Sequence, residues 1–584
     1  MKHLLTPYGA NINPLSVLQE YPRPQLKRSS YMNLNGYWDF HITNDDWTKH
    51  YDDKIMVPFS PESILSGVNR MLKPNEYAFY HKTINCDDHF LKDVTLIHFG
   101  AVDQICDVWV NGHHAITHVG GFTPFSVDVS SYIVDDVIDI VIRVKDLSDT
   151  SYHLTGKQRI HRGGIWYTPQ SGIWQTVWME SLPKNHIKDL TLIPHFDDKK
   201  IEMILHTDVS MEYSIHISIN NQIIYTKETH DTHLFIDVDP FYPWTPQTPS
   251  LYDIDITFGN DHVKSYVGMR KFSKNTNDQG VTQFYLNNEP YFLSGVLDQG
   301  YYSDGLLTPP SDQAMIDDIM LVKNLGFNLI RKHIKIEPLR FYYHCDRLGI
   351  IVWQDMINGS TRKDIMFHGI LGMLNIHIND KHYRLFGRHD KEGRYLYEKD
   401  LSTMINHLKN VTSIATWVPF NEAWGQFDAK RITKQIFNRD QTRLIDHASG
   451  WSDQHVGDYY SLHIYFTKVK FKKRQAKTRI IALTEFGGYS LAINEHRFNE
   501  DKVFGYKVFR DQESLTKGIE RLYESEILPN IKHGLNVLIY TQLSDVEDEV
   551  NGFITYDRKV LKIDPKVMKR INEALITRFK QESL

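Results

Sequence analysis

The feature that most constrains the fold is a series of eight short apolar segments in the second half of the chain. They are YFLSGV, NLIRKH, IIVWQD, SIATWVPF, TRLIDHA, YSLHIY, IIALTE and LNVLIYT, and helical or loop stretches separate them. The first such stretch, Ser311 to Leu325, has helical apolar spacing. Eight apolar strands in this alternation have the count and length of a closed (β/α)8 TIM barrel. We therefore predict a barrel over residues 276–584.

The first half of the chain has a different pattern of apolar and polar residues. From about Leu34 to Leu182 short alternating segments are split by turn residues, which predicts a β-sandwich. A second β stretch, from about Lys188 to Val267, has the length of an immunoglobulin-like module. We therefore predict three domains, at residues 1–184, 185–275 and 276–584.

The amino-acid composition limits the classes of partner that the protein is expected to bind. Aromatic residues make up 12% of the 584 residues, and flat rings stack on sugars and on bases. The formal charge of -6 argues against nucleic acid, which requires a basic surface. Three widely spaced cysteines predict neither disulfides nor a cysteine zinc site, and no apolar segment approaches the roughly 20 residues that span a bilayer. We expect a cytoplasmic protein with a carbohydrate partner and with neither a nucleic-acid nor a membrane partner.

Polar side chains stand at the ends of the predicted barrel strands, where TIM barrels carry their chemistry. Two of them are glutamates, Glu422 in WVPFNEAWGQFD and Glu485 in LTEFGG, and both point into one mouth. Two carboxylates across a polar pocket suit glycoside hydrolysis, in which one protonates the leaving oxygen and the other attacks or activates water. The acid needs a raised pKa and the nucleophile a low one, and Arg331 could keep one of them ionised.

Ordered motifs along nearly the whole chain strengthen this interpretation. They include RPQLKRSSYMNLNGYWDF, FGAVDQICDVWVNG, IWYTPQSGIWQTVWME, WTPQTPSLY, GMRKF, GFNLIRKHIKIEPLRFYYHCDRLGIIVWQDM and the two glutamate segments. In these motifs the chain resembles family 2 glycoside hydrolases, the group of β-galactosidases, β-glucuronidases and β-mannosidases. The resemblance implies a jelly-roll sugar-binding domain, an immunoglobulin-like β-sandwich and a catalytic TIM barrel.

The resemblance also implies residue roles. It implies a retaining exo-β-glycosidase with Glu422 as acid/base and Glu485 as nucleophile, with carboxyl groups about 5 to 5.5 Å apart. Asn421 corresponds to the residue that holds the sugar 2-hydroxyl, Tyr465 to a tyrosine bonded to the nucleophile, and Tyr540 stands where relatives place a tryptophan that floors the pocket. The full set of predicted substrate-binding residues is Asn421, Asp298, Arg331, His333, Asp355, His463, Tyr465, Tyr540 and Trp424.

The resemblance implies the reaction but leaves several sugars open. β-Galactosidase is the first expectation, although Trp166 and GVLDQGYYSDG replace the acidic and histidine cluster of known β-galactosidases, and Asp298 is expected to take over hydroxyl contacts. A β-mannosidase comes next. A β-glucuronidase ranks third because SDVEDEVNGFITYDRK lacks the Asn-any-Lys carboxylate clamp. The rival of another class is a non-catalytic carbohydrate-binding protein, which would have no need for both glutamates.

Other segments receive plainer interpretations. No cofactor or metal site is predicted, because His368, His377, His382 and His389 lack HxxxH spacing, although some relatives use magnesium near the acid/base. The basic segment Lys468 to Lys477 is interpreted as a solvated loop. The long segment Ile357 to Glu398 is expected to shape the aglycone side. A homo-oligomer is expected.

Overall fold

The computed structural model describes residues 4–87, 89–360, 365–374 and 376–583, and its N-terminal part is a β-sandwich, as the alternating pattern predicts. The strands are β1 (Tyr31–Asn33), β2 (Gly36–Thr43), β3 (Asp53–Val57), β4 (Tyr77–Asn85), β5 (Val94–Phe99), β6 (Val102–Asp103), β7 (Ile105–Val110), β8 (His113–Val119), β9 (Phe125–Asp128), β10 (Val137–Lys145), β11 (Gly172–Ile173) and β12 (Val177–Leu182). The main sheets have the orders β1-β12-β5-β9 and β3-β2-β4-β10-β7-β8, and β6 pairs with β11. Strand β10 shows why they pack: its isoleucines stand at every second position and are buried, whereas the residues between them are only partly buried.

A seven-stranded β-sandwich follows. Its strands are β13 (Asp189–His195), β14 (Lys200–His206), β15 (Tyr213–Ile219), β16 (Gln222–Thr229), β17 (His233–Asp237), β18 (Tyr252–Phe258) and β19 (Asp261–Val267). They form the sheets β13-β14-β17 and β16-β15-β18-β19, the strand count of an immunoglobulin-like domain. A small sheet of β20 (Phe272–Thr276), β21 (Thr282–Leu286) and β22 (Glu289–Pro290) then leads into the barrel. The exact domain boundaries stay a prediction.

The predicted eight-stranded parallel barrel is confirmed. The strands of this region are β23 (Leu293–Asp298), β24 (Leu329–Lys332), β25 (Ile351–Asp355), β26 (Ile414–Val418), β27 (Leu444–Ile445), β28 (Tyr459–Ile464), β29 (Ile480–Gly487), β30 (Tyr489–Ser490), β31 (Lys507–Val508) and β32 (Leu535–Thr541). The barrel order is β27-β26-β25-β24-β23-β32-β29-β28, with every described ladder parallel. Strands β27 and β28 end the order, so the barrel is nearly closed.

Helices surround the barrel strands. They are α1 (Asp312–Asn324), α2 (Leu339–Leu348), α3 (Ile365–Met373), α4 (Lys391–Leu408), α5 (Ala429–Arg439), α6 (Gln512–Leu522), α7 (Leu528–Ile531) and α8 (Pro565–Ser583). Within the described ranges, no helix has both the length and the apolar character that crossing a membrane requires.

The barrel strands are buried on both faces, as parallel strands usually are. Leu293, Val537 and Ile539 belong to a cluster inside the barrel, whereas Leu538 and Tyr540 belong to the larger core that includes the surrounding helices. Successive residues of β32 therefore face opposite sides. This alternation decides which strand-end residues can reach the barrel mouth.

A buried ion-pair group joins the first two sandwiches. The Arg28 guanidinium donates to Asp261 on β19 (Nε to Oδ1, 2.8 Å) and to Glu180 on β12 (Nη1 to Oε2, 3.1 Å). All three side chains are almost fully buried. Because charges this deep need their partners, the contact fixes how the two sandwiches meet.

Arg28→Ala is therefore expected to lower the free energy of unfolding by about 3–5 kcal/mol, because it leaves the buried carboxylate of Asp261 without its cation and leaves Glu180 with Arg23 as its remaining cation. The first unfolding transition in urea measures the loss. Lys517→Ala, which breaks an exposed pair with Glu513, is the control, with an expected effect of at most about 0.5 kcal/mol. Equal effects of the two substitutions would contradict this role of Arg28.

Candidate active site

Arg331, near the end of β24, organises the polar residues at the barrel mouth. Its guanidinium binds Asp355 through two hydrogen bonds, of 3.0 Å from Nε and 2.9 Å from Nη2. It also donates to Asn421 Oδ1 at 2.8 Å and to Glu485 Oε1 at 3.2 Å. His333 Nδ1 lies 2.8 Å from Asp355 Oδ2. One buried cation thus connects the ends of strands β24, β25 and β29 with the loop after β26.

Glu485 on β29 has a hydrogen-bond donor on each of its carboxyl oxygens. Its Oε1 accepts from Arg331, and its Oε2 accepts from the Tyr465 hydroxyl at 2.6 Å. The Tyr465 hydroxyl also lies 2.9 Å from Thr541 Oγ1, and its ring stacks on Tyr506 with the ring centroids 3.9 Å apart. Donors on both oxygens fix the orientation of the Glu485 side chain.

Glu422 occupies a sharp turn after β26. Its backbone φ is +51° and that of Ala423 is +64°, a left-handed conformation that non-glycine residues seldom adopt. The Glu422 N–H donates to Ser449 O at 2.9 Å, which holds the turn against the chain after β27. The Glu422 carboxylate therefore projects into the mouth, where its Oε1 lies 3.0 Å from His463 Nδ1.

The two glutamates lie close together. One side-chain oxygen of Glu422, one of Glu485 and one ring nitrogen of His463 all lie within 4.8 Å of one another. Burial alone would raise the pKa of Glu422, but the hydrogen bond and charge of His463, with the charges of Lys157 and Arg331, hold it below its usual range. Burial, with the nearby charges of Lys157 and Arg331, keeps the pKa of His333 well below its usual value.

Two buried donors in this group have no partner among the described residues. They are Asn421 Nδ2 and the indole Nε1 of Trp424. Asn421 Oδ1 already accepts from Arg331, so its free amide hydrogens point away from the guanidinium. Buried donors without partners are unfavourable unless a ligand or water satisfies them, so both donors are available to a polar ligand at this site.

The structure brings most of the predicted substrate-binding residues together around the two glutamates, but it does not bring Asp298 and Tyr540 there. Both oxygens of Asp298 already accept hydrogen bonds, from the Gly300 N–H and from Lys332 Nζ. Tyr540 packs against Phe486 and Phe553, and its hydroxyl accepts from the Tyr489 N–H. No described contact joins either residue to Glu422 or Glu485. At the end of β32, Thr541 takes the inward position instead.

Sequence reasoning missed Lys157, Tyr506 and Thr541. Lys157 belongs to the N-terminal part of the chain, and its charge acts on Glu422 and His333. Tyr506 follows the barrel strand β29 in a loop without a motif. Thr541 could have been predicted from the sequence, because side chains alternate along a strand and Tyr540 and Thr541 therefore lie on opposite faces of β32.

One group of described residues has the donor set for a metal ion, namely Glu422, His463 and Glu485. Magnesium prefers an octahedron of oxygens, whereas this group offers one imidazole nitrogen that already bonds Glu422. The residues do not fit magnesium, and no step below uses a metal.

This fold and this pair of carboxylates define a glycoside hydrolase, and comparison with known families agrees. Residues 13–183 match the sugar binding domain of glycosyl hydrolases family 2, residues 185–270 match the domain described as glycosyl hydrolases family 2, and residues 280–483 match its TIM barrel domain. The chain belongs to glycosyl hydrolases family 2. A non-catalytic carbohydrate-binding protein is therefore not the class that the comparisons support.

Individual relatives are distant. The chain is 25% identical to a putative beta-glucuronidase of Formosa agariphila over 44% of its own length and 32% of that protein. It is 24% identical to a beta-galactosidase of Thermoanaerobacter pseudethanolicus over 78% of its length and 61% of that protein. It thus spans about a third and about three fifths of these two relatives. An uncultured Clostridium sp. beta-glucuronidase structure has a TM-score of 0.73 at 17% identity, covering 94% of this chain and 99% of that one.

His463→Ala is expected to raise the pKa of Glu422, because the imidazole hydrogen bond and charge that lower it are removed while burial remains. If Glu422 must carry a proton in the free enzyme, the basic limb of the pH profile of kcat/KM will shift to higher pH. Initial rates on an aryl β-glycoside across pH measure the limb. A limb that stays in place or moves to lower pH would show that His463 does not depress this pKa.

Proposed function

We propose that the protein is a retaining exo-β-glycosidase that removes terminal non-reducing β-linked sugars by double displacement. The observation that carries the proposal is the short distance between Glu422 and Glu485, whose nearest oxygens lie within 4.8 Å. Retaining enzymes keep their two carboxyl groups about 5–5.5 Å apart, whereas inverting enzymes leave about 6.5–9.5 Å for a water molecule.

In the first step Glu485 attacks the anomeric carbon while Glu422 protonates the leaving glycosidic oxygen. The Arg331 and Tyr465 hydrogen bonds hold the Glu485 carboxyl group in a fixed orientation for this attack. The free Nδ2 of Asn421 suits the sugar 2-hydroxyl, a contact that strengthens as the transition state forms. The products are a free aglycone and a sugar ester of Glu485.

In the second step Glu422, now ionised, takes a proton from a water molecule that attacks the ester from the face that the aglycone left. The ester C–O bond breaks, Glu485 regains its charge, and the sugar leaves with its β configuration. His463 and Arg331 favour the ionised form of Glu422 that this step requires. No metal takes part in either step.

The sugar has two candidates. A β-galactoside is supported by the beta-galactosidase that aligns with 78% of the chain. A β-glucuronide is supported by the putative beta-glucuronidase relative and, independently, by the buried Lys157 beside the pocket. A β-mannoside has no such observation in its favour. Hydrolysis of 4-nitrophenyl β-glycosides that differ only in the sugar separates these candidates.

Glu485→Ala is expected to abolish turnover because it removes the nucleophile. Azide fits the space that the carboxylate leaves and attacks from the same side, so activity on an activated aryl β-glycoside should return with an α-glycosyl azide as product. Nuclear magnetic resonance of the product identifies the anomer. A β-glycosyl azide would contradict the assignment of Glu485 as nucleophile.

Glu422→Ala is expected to discriminate between leaving groups. A general acid contributes about 100- to 10,000-fold when the leaving oxygen needs a proton and little when it does not. The first step should slow strongly for methyl or alkyl β-glycosides and only weakly for a dinitrophenyl glycoside, as pre-steady-state release of the aglycone measures. Equal losses on both substrates would remove Glu422 from the acid role.

A further inference from the structure

Lys157 is a buried cation that the proposed mechanism does not use. Only 8% of the residue is exposed, and within the described ranges its ammonium has neither a hydrogen bond nor an ion pair. Lysines are seldom buried without a partner, because removing an ammonium from water costs several kcal/mol. An unpaired ammonium at a substrate pocket therefore calls for a ligand.

The loop that carries Lys157 is fixed against the barrel. The Gly156 N–H donates to Asn358 O at 2.8 Å. The Asn358 side chain in turn donates to the carbonyls of Asn421 at 3.2 Å and Trp424 at 3.3 Å. The loop is thus attached to the same turn that carries Glu422. The charge of Lys157 lowers the pKa of Glu422 and of His333.

Trp166 links this ammonium to a second free donor. Lys157 Nζ lies 5.9 Å from the Trp166 ring centroid, and the Trp424 ring meets Trp166 edge-on with the centroids 5.5 Å apart. Trp424 Nε1 has no partner among the described residues. The Arg159 guanidinium lies over Trp166, with its Cζ 3.8 Å from the ring centroid. This corner therefore combines positive charge with N–H donors.

Glu549, an acid outside the catalytic pair, does not form an ion pair with Lys157 among the described residues. Glu549 interacts with Lys157 through its charge, but no contact within ion-pair distance joins them in the part of the chain that the structure describes. Its Oε2 accepts from the Tyr167 hydroxyl and its Oε1 from Asn551 Nδ2. Burial raises the pKa of Glu549, which weakens it further as a counterion.

We propose that Lys157, with the Trp424 indole N–H, binds the carboxylate of a β-linked hexuronic acid, so that the substrate is a β-glycosiduronic acid. This inference rests on the proposed glycosidase function and names its substrate class. A carboxylate supplies a negative charge to pair with the Lys157 ammonium. It also has two acceptor oxygens, one for the ammonium and one for the Trp424 N–H. A neutral hydroxyl would leave the buried charge uncompensated.

The inference revises the ranking that the sequence suggested. The region after β32 lacks the lysine of the Asn-any-Lys clamp, and this absence placed uronic acids third. In the folded protein, a lysine from the N-terminal sandwich reaches the same mouth. An acidic sugar is therefore bound by a cation from another domain.

The experiment compares sugars that differ only in oxidation at C6. 4-Nitrophenyl β-D-glucuronide is paired with the β-D-glucoside, and 4-nitrophenyl β-D-galacturonide with the β-D-galactoside. For one pair, the wild-type enzyme is expected to favour the uronide by at least about tenfold in kcat/KM. Lys157→Met, which keeps the length of the chain but not its charge, should lower kcat/KM for that uronide by about 10- to 100-fold and change the neutral partner much less.

Lys157→Arg is the matched variant, because it keeps the charge and should retain more uronide activity than Lys157→Met. The selectivity between uronide and neutral sugar is the readout, since a general loss of folding would lower both activities together. Preference of the wild-type enzyme for both neutral sugars, or equal losses in Lys157→Met, would overturn the inference while leaving the glycosidase function intact. An enzyme inactive on all β-glycosides would instead overturn the proposed function itself.

Discussion

The buried guanidinium of Arg331 is the interaction on which the rest of the site depends. Taking an isolated guanidinium out of water is strongly unfavourable, so its position is stable only because Asp355, Glu485 and Asn421 all accept from it. These acceptors come from different strands and loops of the barrel. The same hydrogen bonds that stabilise the cation therefore set the orientation of the Glu485 carboxylate and turn the amide hydrogens of Asn421 away from the guanidinium.

The two glutamates differ in what surrounds them, and this difference supports the roles proposed for them. Glu485 has charged or hydroxyl donors on both oxygens, which suits a group that must stay ionised. Glu422 is bound through His463, and its pKa is lowered in the free protein. A general acid needs a proton, and in the proposed mechanism a sugar that fills the mouth would exclude water and so favour the protonated form of Glu422.

Much of the fold and of the site could be predicted from the sequence. Apolar strand periodicity located all eight barrel strands, and strand ends located Glu422, Glu485, Arg331 and Tyr465. Tyr540 was predicted to line the pocket because it stands where relatives place a tryptophan, but a shift of one residue along a strand reverses the face, and Thr541 faces the mouth instead. Asp298 stands at a strand end as predicted, yet position alone does not reveal that Lys332 and the Gly300 N–H already occupy its oxygens.

Lys157 lies beyond what periodicity can predict, because its place depends on how two domains meet. The acidic segment SDVEDE, Ser544 to Glu549, shows how that meeting is fixed. Its Glu547 accepts from the Thr168 N–H at 2.8 Å, its Asp548 pairs with Arg162 at 3.3 Å, and its Glu549 accepts from Tyr167. These acids bind the N-terminal sandwich, and so they are not available to bind a cation in the pocket. Because these contacts hold the sandwich against the barrel, the sandwich places the loop that carries Lys157 against the turn that carries Glu422.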